Sequence, residues 1–540
     1  MFCLIATLLI SSTQGFYLDP TIQDDLNILS STTSPLTKSP QTPTVGYFLR
    51  NLGNATLNTT IHEGSSLPSS LHGLTHYRLL PAVFPDKMGY HFDGLATVLK
   101  FHISDDGSTI SYRAKTFEDE AATDFKKCIF YGTGYGPTLG TKICFTNPGV
   151  NLLPIDGQLW LTIDTSKWGR VDPETLDTIK NDKGTILQPT FVNSSSLVLN
   201  AHPACDRQAN ICYVQHPCPK GPSPYSDQIC FSVLRPNEKK LNVELVARAT
   251  MKKSKIIQHS HSPCLTEHYV VSKVDAFVGR NPLNKNGGLL KFLHQGEDSL
   301  WFVLNRLTNE TTLITGTDKF VNNHFWNCYE DDQGKIVVET VASTEDYLDT
   351  YFARNLARSH PDWSTIFYPA LRCHLSVNTS SIECVPLLKS NKKKAGTGID
   401  VIQEESLLFD YPTFNPHYKK KTYQYFYAIS ITSNTSAWFD KLIKVDVHTD
   451  TITKSWSSPN IFMTEFDFVP TATEKSQNMH AEDDGVLLSV LYNATDDTSL
   501  FAIFNASTIE PIGIYPMEHS VPFHAHGIIC KKGIPCFTNP

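Results

Sequence analysis

The sequence predicts an all-β fold. Short runs of β-branched and aromatic residues recur beyond Gly46, among them T-V-L-K-F-H-I, L-W-L-T-I-D and V-L-L-S-V-L-Y. Turn signals such as D-G, N-P-G and P-N separate these runs, as expected for strands joined by tight connections. Long helical periodicity is scarce, and the best amphipathic stretch is Thr344 to Ala357. The pattern by itself leaves a sandwich, a barrel and a propeller open.

The first 15 residues, M-F-C-L-I-A-T-L-L-I-S-S-T-Q-G, indicate a secretory signal peptide. The apolar run from Phe2 to Ile10 is too short to cross a bilayer as a helix, which takes about 20 residues. Residues 16–45 form a Ser/Thr/Pro-rich segment, which is predicted to be a flexible lead-in. The folded body is therefore predicted over residues 46–540 as one unit.

Composition argues against a polyanionic partner. The net charge of the chain is −8, and its longest basic runs are Lys392–Lys394 and Lys419–Lys421. Such short runs are interpreted as solvated loops, so no nucleic-acid partner is predicted. Length alone does not set the number of domains, because a propeller of this size forms a single large unit.

Cysteines and glycosylation acceptors agree with export. Of the 13 cysteines, Cys3 lies in the signal peptide, and the even number that remains is typical of a disulfide framework. Asn-x-Ser/Thr acceptors occur at Asn54, Asn58, Asn193, Asn309, Asn378, Asn434, Asn493 and Asn505. The sequence therefore predicts a secreted or luminal protein that is N-glycosylated and disulfide-bonded.

The spacing of the cysteines suggests particular pairs. Local bridges are predicted for Cys373–Cys384 and Cys530–Cys536, with Cys128–Cys144 as a further candidate. A second group is predicted to pair within itself: Cys205, Cys212, Cys218 and Cys230. This group lacks the paired C-x₂-C spacing of a zinc site. Cys264 and Cys328 closely follow His261 and His324, so a bridge that clamps these two histidine segments is hypothesised.

Four histidines are the candidate metal ligands. They lie in N-A-H-P-A-C-D (His202), H-S-P-C-L-T (His261), H-F-W-N-C-Y-E-D (His324) and F-H-A-H-G (His526). Four neutral imidazoles suit a borderline divalent metal such as iron, zinc or copper. Positions so far apart in the chain can meet only where distant elements converge, as the inner strands of a propeller do.

The histidine segments resemble the carotenoid cleavage oxygenase family. The similarity includes Y-H-F-D-G-L-A-T-V-L-K-F from Tyr90, V-D-P-E-T-L-D-T-I from Val171, F-D-Y-P-T-F-N from Phe409 and A-E-D-D-G-V-L-L-S-V from Ala481, all in the family's order. The resemblance implies a seven-bladed β-propeller whose long loops form a cap over the metal face. It also implies one Fe(II) per chain, held by His202, His261, His324 and His526.

Two H-x-H pairs need the resemblance for their interpretation. His259 with His261, and His524 with His526, would each share one face of a strand, so geometry permits either member as a ligand. The family register favours His261 and His526. His259 and His524 are then interpreted as core or supporting residues.

The resemblance also supplies carboxylates that orient the ligands. A metal-bound imidazole needs an acceptor for its second N–H, and the family uses three glutamates for this purpose. The matching positions here are Asp164, Asp410 and Glu465. Two of the three side chains are therefore one methylene shorter, and we expect a moved backbone or a bridging water to make up the difference.

The activity implied by the resemblance is oxidative cleavage. O₂ and a carotenoid or apocarotenoid would react at the iron, and each half of the split C=C bond would leave as an aldehyde or ketone. Two alternatives stay open: a retinyl-ester isomerohydrolase with the same ligands, and a non-catalytic carrier of apocarotenoids or other lipids. A sialidase-like or lectin propeller is disfavoured, because no arginine triad can be identified and the histidine motifs would have no explanation.

Contact with a membrane also stays open. The segment K-C-I-F-Y-G-T-G-Y-G-P-T-L-G from Lys127 matches the place where the family's apolar membrane patch begins. The P-D-P-C-K signature of animal members is reduced here to F-K-K-C. A peripheral membrane contact and a plain exposed loop are therefore both compatible with the sequence.

Overall fold

The chain folds as a seven-bladed β-propeller, which confirms the predicted fold class. The computed structural model describes residues 57–64, 66–83, 94–118, 128–129, 142–143, 147–164, 166–192, 199–206, 209–218, 228–237, 240–250, 257–277, 299–317, 320–344, 363–388, 408–471, 480–531 and 534–538. Seven sheets of three to six strands form the blades, and one further pair of short strands is parallel. The predicted signal peptide (1–15) and lead-in (16–45) lie outside the described residues, and so does 345–357 of the amphipathic stretch.

The first three blades contain most of the N-terminal half of the chain. Blade 1 contains β1 (Leu57–Glu63), β2 (Leu74–Val83), β3 (Leu95–Ile103), β4 (Thr109–Thr116), β33 (Gly527–Lys531) and β34 (Ile534–Thr538). The parallel pair is β5 (Cys128–Ile129) with β6 (Lys142–Ile143). Blade 2 contains β7 (Asn151–Ile155), β8 (Gln158–Thr162) and β9 (Gly169–Val171). Blade 3 contains β10 (Thr190–Val192), β11 (Ala204–Asp206), β12 (Ile211–Pro217), β13 (Gln228–Asn237) and β14 (Lys240–Thr250).

The remaining four blades follow in chain order. Blade 4 contains β15 (Ile257–His259), β16 (Cys264–Leu265), β17 (Tyr269–Phe277), β18 (Ser299–Asn305) and β19 (Thr311–Gly316). Blade 5 contains β20 (Val321–Glu330), β21 (Ile336–Ser343), β22 (Leu371–Ser376) and β23 (Ser381–Pro386). Blade 6 contains β24 (Phe409–Phe414), β25 (Tyr425–Ser430), β26 (Lys441–Asp446) and β27 (Thr451–Ser457). Blade 7 contains β28 (Ile461–Phe462), β29 (Asp467–Pro470), β30 (Gly485–Asn493), β31 (Thr498–Asn505) and β32 (Pro511–Pro516).

Helical structure within the described residues is limited to three single turns. They are the 3₁₀ turn Ser69–Leu71, the helix α1 (Trp363–Ile366) and the 3₁₀ turn Pro416–Tyr418. None of the described helices is long and apolar enough to cross a membrane.

Burial along the strands explains why these segments form sheets. In β4, Ile110, Tyr112 and Ala114 are buried while the intervening residues are partly exposed, as expected for a strand near the outside of a blade. In β24 all six residues are buried, because this strand lies near the axis and is covered on both faces. The alternation in β4 is typical of a strand with one face toward the core, and the continuous burial of β24 is typical of a strand covered on both faces.

The ring is closed by pairing between the two ends of the described chain. β33 pairs antiparallel with β2, so the last strands complete the first blade. Around the axis, β11 contacts β16, β16 contacts β20, β20 contacts β24, β24 contacts β29, β29 contacts β33 and β33 contacts β7. These seven strands, one from each blade, are called the inner strands below.

Five disulfides lie within the described residues. Cys373–Cys384, Cys530–Cys536 and the hypothesised Cys264–Cys328 are all formed. The group of four divides into Cys205–Cys212 and Cys218–Cys230. The side chains of the remaining candidate pair, Cys128 and Cys144, lie outside the described residues. Each predicted bridge that the structure describes is confirmed.

Candidate metal centre

The four candidate histidines lie on or directly before inner strands of four blades. His202 precedes β11, His261 precedes β16, His324 is within β20, and His526 immediately precedes β33. Because the inner strands surround the propeller axis, side chains from these four places can point to one centre. The fold thus brings together residues that are up to 324 positions apart in the sequence (526 − 202).

One nitrogen from each of these imidazoles lies within 4.8 Å of the corresponding nitrogen of the other three. The ring centroids of His202 and His526 are 4.3 Å apart with their planes at 84°, and those of His202 and His261 are 4.6 Å apart. The Nε2 atoms of His202 and His324 are buried and have no hydrogen-bond partner among the described residues. Buried nitrogens normally have a partner, and a metal ion at the centre would supply one.

Three of the imidazoles are oriented by the carboxylates named from the sequence. His261 Nδ1 is 3.0 Å from Asp164 Oδ2, and His324 Nδ1 is 2.9 Å from Asp410 Oδ1. The third contact joins His526 Nδ1 to Glu465 Oε1 at 3.4 Å.

Each carboxylate accepts from Nδ1–H, which leaves Nε2 facing the centre. The two shorter side chains reach their histidines directly. The longest of the three contacts belongs to the glutamate.

The fourth imidazole contacts an amide that sequence reasoning missed. Asn151 Nδ2 lies 3.0 Å from Nδ1 of His202, and Asn151 Oδ1 accepts a hydrogen bond from the backbone N–H of Leu152 at 2.8 Å. Binding of a metal through Nε2 of His202 would require this amide to turn, so that its oxygen accepts from Nδ1–H. Asn151 begins β7, the inner strand of blade 2. No motif distinguishes it in the sequence, because its role depends on which strand of blade 2 lies beside His202.

Burial keeps two of the four imidazoles, those of His202 and His526, in the uncharged form. Desolvation, followed by the positive charge that neighbouring imidazoles would carry, holds the pKa of His202 and of His526 well below its usual range. Neutral imidazole is the form that binds a metal. The four nitrogens therefore suit a borderline ion such as Fe(II), whereas Mg²⁺ and Ca²⁺ prefer oxygen ligands.

The other histidines of the two H-x-H pairs are His524 and His259. His524 is fully buried, and its Nδ1 lies 3.0 Å from the carbonyl oxygen of Pro522, outside the four-ring cluster. It is therefore a core residue, as the family register indicated. The backbone of His259 forms the end of β15, but its side chain lies outside the described residues.

An aromatic wall stands beside two of the imidazoles. The ring of Tyr411 is 5.4 Å from that of His324 and 5.8 Å from that of His526. Phe523 is 6.1 Å from Tyr411, and Phe439 is 6.2 Å from it. Tyr411 has a φ of 54°, a left-handed conformation that is unusual for an aromatic residue. With this backbone conformation, the carboxylate of Asp410 contacts His324 and the ring of Tyr411 lies beside the same imidazole.

A small cavity adjoins the cluster. Its volume is about 30 Å³, which is room for about two water molecules. Its walls include His202, Asn151 and the bridged residues Cys264 and Cys328. The disulfide that links the segments after His261 and His324 therefore borders the space beside His202.

The fold and the site define a class of protein, a seven-bladed propeller with four histidines at its axis. Residues 49–529 match the family described as retinal pigment epithelial membrane protein (RPE65), and the chain belongs to this carotenoid oxygenase family. A mouse β,β-carotene 15,15′-dioxygenase is 23% identical over 520 residues, which are 86% of this chain and 87% of that protein. A mitochondrial carotenoid-cleaving dioxygenase from Macaca fascicularis is 23% identical over 557 residues, 90% and 94% of the two chains.

Solved structures agree in fold. A cobalt-substituted Synechocystis ACO has a TM-score of 0.70 and 19% identity, covering 91% of this chain and 99% of that one. A Glu150Gln mutant of Synechocystis apocarotenoid oxygenase (ACO) has a TM-score of 0.69 and 19% identity, covering 90% and 98%. At this level of identity the similarity shows the fold alone.

Proposed function

We propose that this protein is a non-haem iron dioxygenase that uses O₂ to cleave a C=C bond of a carotenoid or apocarotenoid. The observation that carries the proposal is the set of four imidazole nitrogens within 4.8 Å of one another in a chain of the carotenoid oxygenase family. A bound ferrous ion would supply the binding and activation of dioxygen beside the polyene. The products would be aldehydes or ketones.

The residues of the chain have distinct parts in this proposal. His202, His261, His324 and His526 would hold the ion. Asp164, Asp410 and Glu465 would orient three of these rings and keep their Nδ1 atoms protonated. The aromatic wall formed by Tyr411, Phe439 and Phe523 is buried and makes the surroundings of the same rings apolar, which would suit a polyene.

The names of the relatives support the substrate class but do not select a substrate. The mouse relative is named for β,β-carotene and the macaque relative for carotenoids in general, each at 23% identity. A panel of carotenoids and apocarotenoids of different chain lengths is therefore the appropriate test. Chromatography of the products identifies the bond that is cut.

Labelled oxygen separates the proposed reaction from its alternatives. The secreted full chain is purified, its iron is measured, and the panel, with a retinyl ester added to it, is incubated under ¹⁸O₂. A dioxygenase places the label in the carbonyl products. A retinyl-ester isomerohydrolase would release unlabelled retinol, because its oxygen does not come from O₂, and a carrier would contain iron yet convert nothing. Either of the last two results would overturn the proposal.

We also propose that the protein is exported. Five disulfides within the described residues support an oxidising compartment. Two predicted glycosylation acceptors, Asn309 and Asn378, are exposed at turns. Mass spectrometry of protein from culture medium is expected to find an N-terminus near Phe16 and glycans on both asparagines. Retention of the intact N-terminus inside cells would contradict export.

Binding to phospholipid vesicles tests the peripheral membrane contact.

A further inference from the structure

A buried arginine lies behind the His526 ligand position, in a place that the proposed function does not use. Arg78 is on β2, directly opposite Gly527 of β33 in the strand register, and its side chain is fully buried. Burial of an arginine requires strong partners, because the guanidinium stays charged and cannot give up its proton. The partners of Arg78 connect it to the candidate metal centre.

One guanidinium contacts both the carboxylate and the main chain that hold His526. Its Nη1 donates to Asp467 Oδ2 at 2.6 Å and is 3.8 Å from Glu465 Oε2. Its Nη2 donates to the carbonyl oxygen of Ala525, the residue before His526. The other oxygen of Glu465 is the one that faces His526 Nδ1.

The strand that carries Arg78 also holds the backbone of the ligand. Leu79 donates its backbone N–H to the carbonyl oxygen of His526 at 3.2 Å. A Cβ on Gly527 would lie 2.6 Å from Cδ of Arg78 and 2.8 Å from the carbonyl oxygen of Tyr77. Glycine at this position therefore allows the arginine side chain to lie directly against the backbone beside the ligand.

Charge explains why the arginine cannot be replaced by an apolar residue without consequence. Glu465 and Asp467 are both nearly inaccessible to solvent. Burial would raise the pKa of Asp467, but the charge of Arg78 and the contact with His76 lower it below its usual value, so Asp467 is an anion. Without Arg78, two buried carboxylates would lie close together with no arginine between them, and Glu465 would lose a fixed position.

We propose that Arg78 is a positioning residue that holds Glu465 and the main chain at Ala525, so that the imidazole of His526 points at the metal. The inference rests on the proposed four-histidine metal site. It implies that the strength of one of the four metal–nitrogen bonds depends on an arginine that touches none of the reacting atoms.

The test uses the full chain stripped of metal and titrated with Co²⁺, with the visible absorption spectrum as the readout of ligand geometry. We expect Arg78→Met to weaken Co²⁺ binding by about 10- to 100-fold and to change the spectrum. Arg78→Lys, which keeps the charge but not the planar fork, is expected to recover part of the affinity and not the wild-type spectrum. The double variant Arg78→Met/Asp467→Asn also removes the negative charge of Asp467, which would be left buried without its arginine. It therefore reports on the metal site even if the single variant does not fold.

The matched control is Arg372→Met/Glu339→Gln. These two residues form an ion pair at 2.7 Å between partly buried Arg372 on β22 and buried Glu339 on β21, strands that carry none of the four histidines. The control is expected to bind Co²⁺ as the wild type does. A wild-type spectrum and affinity in the Arg78/Asp467 double variant would overturn the inference, and so would an equal loss in the control. Failure of the wild type to bind Co²⁺ or Fe²⁺ would instead remove the metal site itself.

Discussion

Asp410 Oδ1 lies 2.9 Å from Nδ1 of His324, although its side chain is one methylene shorter than the glutamate that the family resemblance implies. The same oxygen accepts a hydrogen bond from the backbone N–H of Tyr411 at 2.7 Å. The backbone at this point is distorted, with a left-handed φ at Tyr411 and an irregular register of β24 after Asp410. A local backbone distortion thus keeps a direct carboxylate–imidazole contact with a shorter side chain.

Replacing Asp410 tests whether its charge supports the metal. Asp410→Asn keeps the size of the side chain and one acceptor oxygen but removes the negative charge behind His324. We expect iron affinity to fall by about 10- to 100-fold, measured by titration with Fe²⁺ under anaerobic conditions. Asp440→Asn, in the same blade but bonded to Thr432 and Ser436, is the control and should bind iron normally. Unchanged affinity in Asp410→Asn would contradict the role given to the carboxylate.

A candidate ligand, His324, and a core histidine, His524, should respond differently to substitution. His324→Ala removes one of the four clustered nitrogens, so the purified protein is expected to contain little iron and to cleave no polyene. His524→Ala removes a core ring outside the cluster and should keep the iron, with a loss of stability of about 1–3 kcal/mol for the polar contact and packing. Iron measured by mass spectrometry and unfolding by denaturant distinguish them. Full iron content in His324→Ala would exclude this residue as a ligand.

Stability of the metal-free protein should fall as pH decreases below about 6.5. Burial holds the pKa of His202 and His526 well below the usual range and lowers that of His216 to about 4. Above about pH 6.5 these rings are neutral in both states and make no contribution. Below it, the unfolded chain takes up protons that the folded chain does not, so the free energy of unfolding falls by about 1.4 kcal/mol per pH unit for each such histidine.

Denaturant unfolding of the metal-free chain from pH 7.5 to pH 5 measures this loss. His216→Asn, which removes a buried histidine that bonds Ser232 and Pro217 away from the cluster, should reduce the slope by one histidine's share. Protons also compete with the metal for the clustered nitrogens, so iron retention should decrease over the same range. A free energy of unfolding that is independent of pH would be inconsistent with neutral buried rings.

The disulfide Cys264–Cys328 should stabilise the metal site as well as the fold. It closes 64 residues and links the segments that follow His261 and His324, whereas Cys373–Cys384 closes only 11. The chain-entropy relation gives about 4 kcal/mol for the longer loop and about 3 kcal/mol for the shorter one. Replacing both cysteines of each pair by serine, followed by iron release on mild heating, compares them. Iron is expected to be released early only from the variant without Cys264–Cys328. Equal iron retention in both variants would argue against a role of this disulfide in holding the two histidine segments.

Gly527→Ala should disturb the ligand that precedes it. The new Cβ would meet the carbonyl oxygen of Tyr77 at 2.8 Å, a backbone atom that cannot move away easily. We expect a loss of stability of about 1–3 kcal/mol together with reduced iron content. At Gly149 the nearest atom to a new Cβ is 3.8 Å away, so Gly149→Ala is a matched control that should be nearly neutral. Normal iron content in Gly527→Ala would show that the approach of β2 to β33 can relax without moving His526.

Sequence reasoning identified the side chains whose chemistry is visible in a short segment. Each of the four histidines lies in its own motif, and Asp164, Asp410 and Glu465 follow from motifs of the same family. The structure places these seven residues together, and their roles at a metal stay a proposal. Asn151 and Arg78 were missed, because neither has a local signal. Arg78 meets Ala525 only through the pairing of β2 with β33, across 447 positions of sequence.

The cysteines also include one pair that the sequence predicts and others that only the fold decides. Cys373–Cys384 could be predicted because the two residues face each other across a hairpin. The group of four could not be resolved from spacing, because four neighbouring cysteines allow more than one set of pairs. The structure places Cys205 opposite Cys212 on β11 and β12.

By itself, the sequence determined the all-β character, the candidate ligands and the cysteines available for disulfides, because strand periodicity and residue type are local properties. Only the tertiary structure decided which residues contact each candidate ligand. That choice depends on closing a ring of seven blades, which pairs β2 near the beginning of the described chain with β33 near its end.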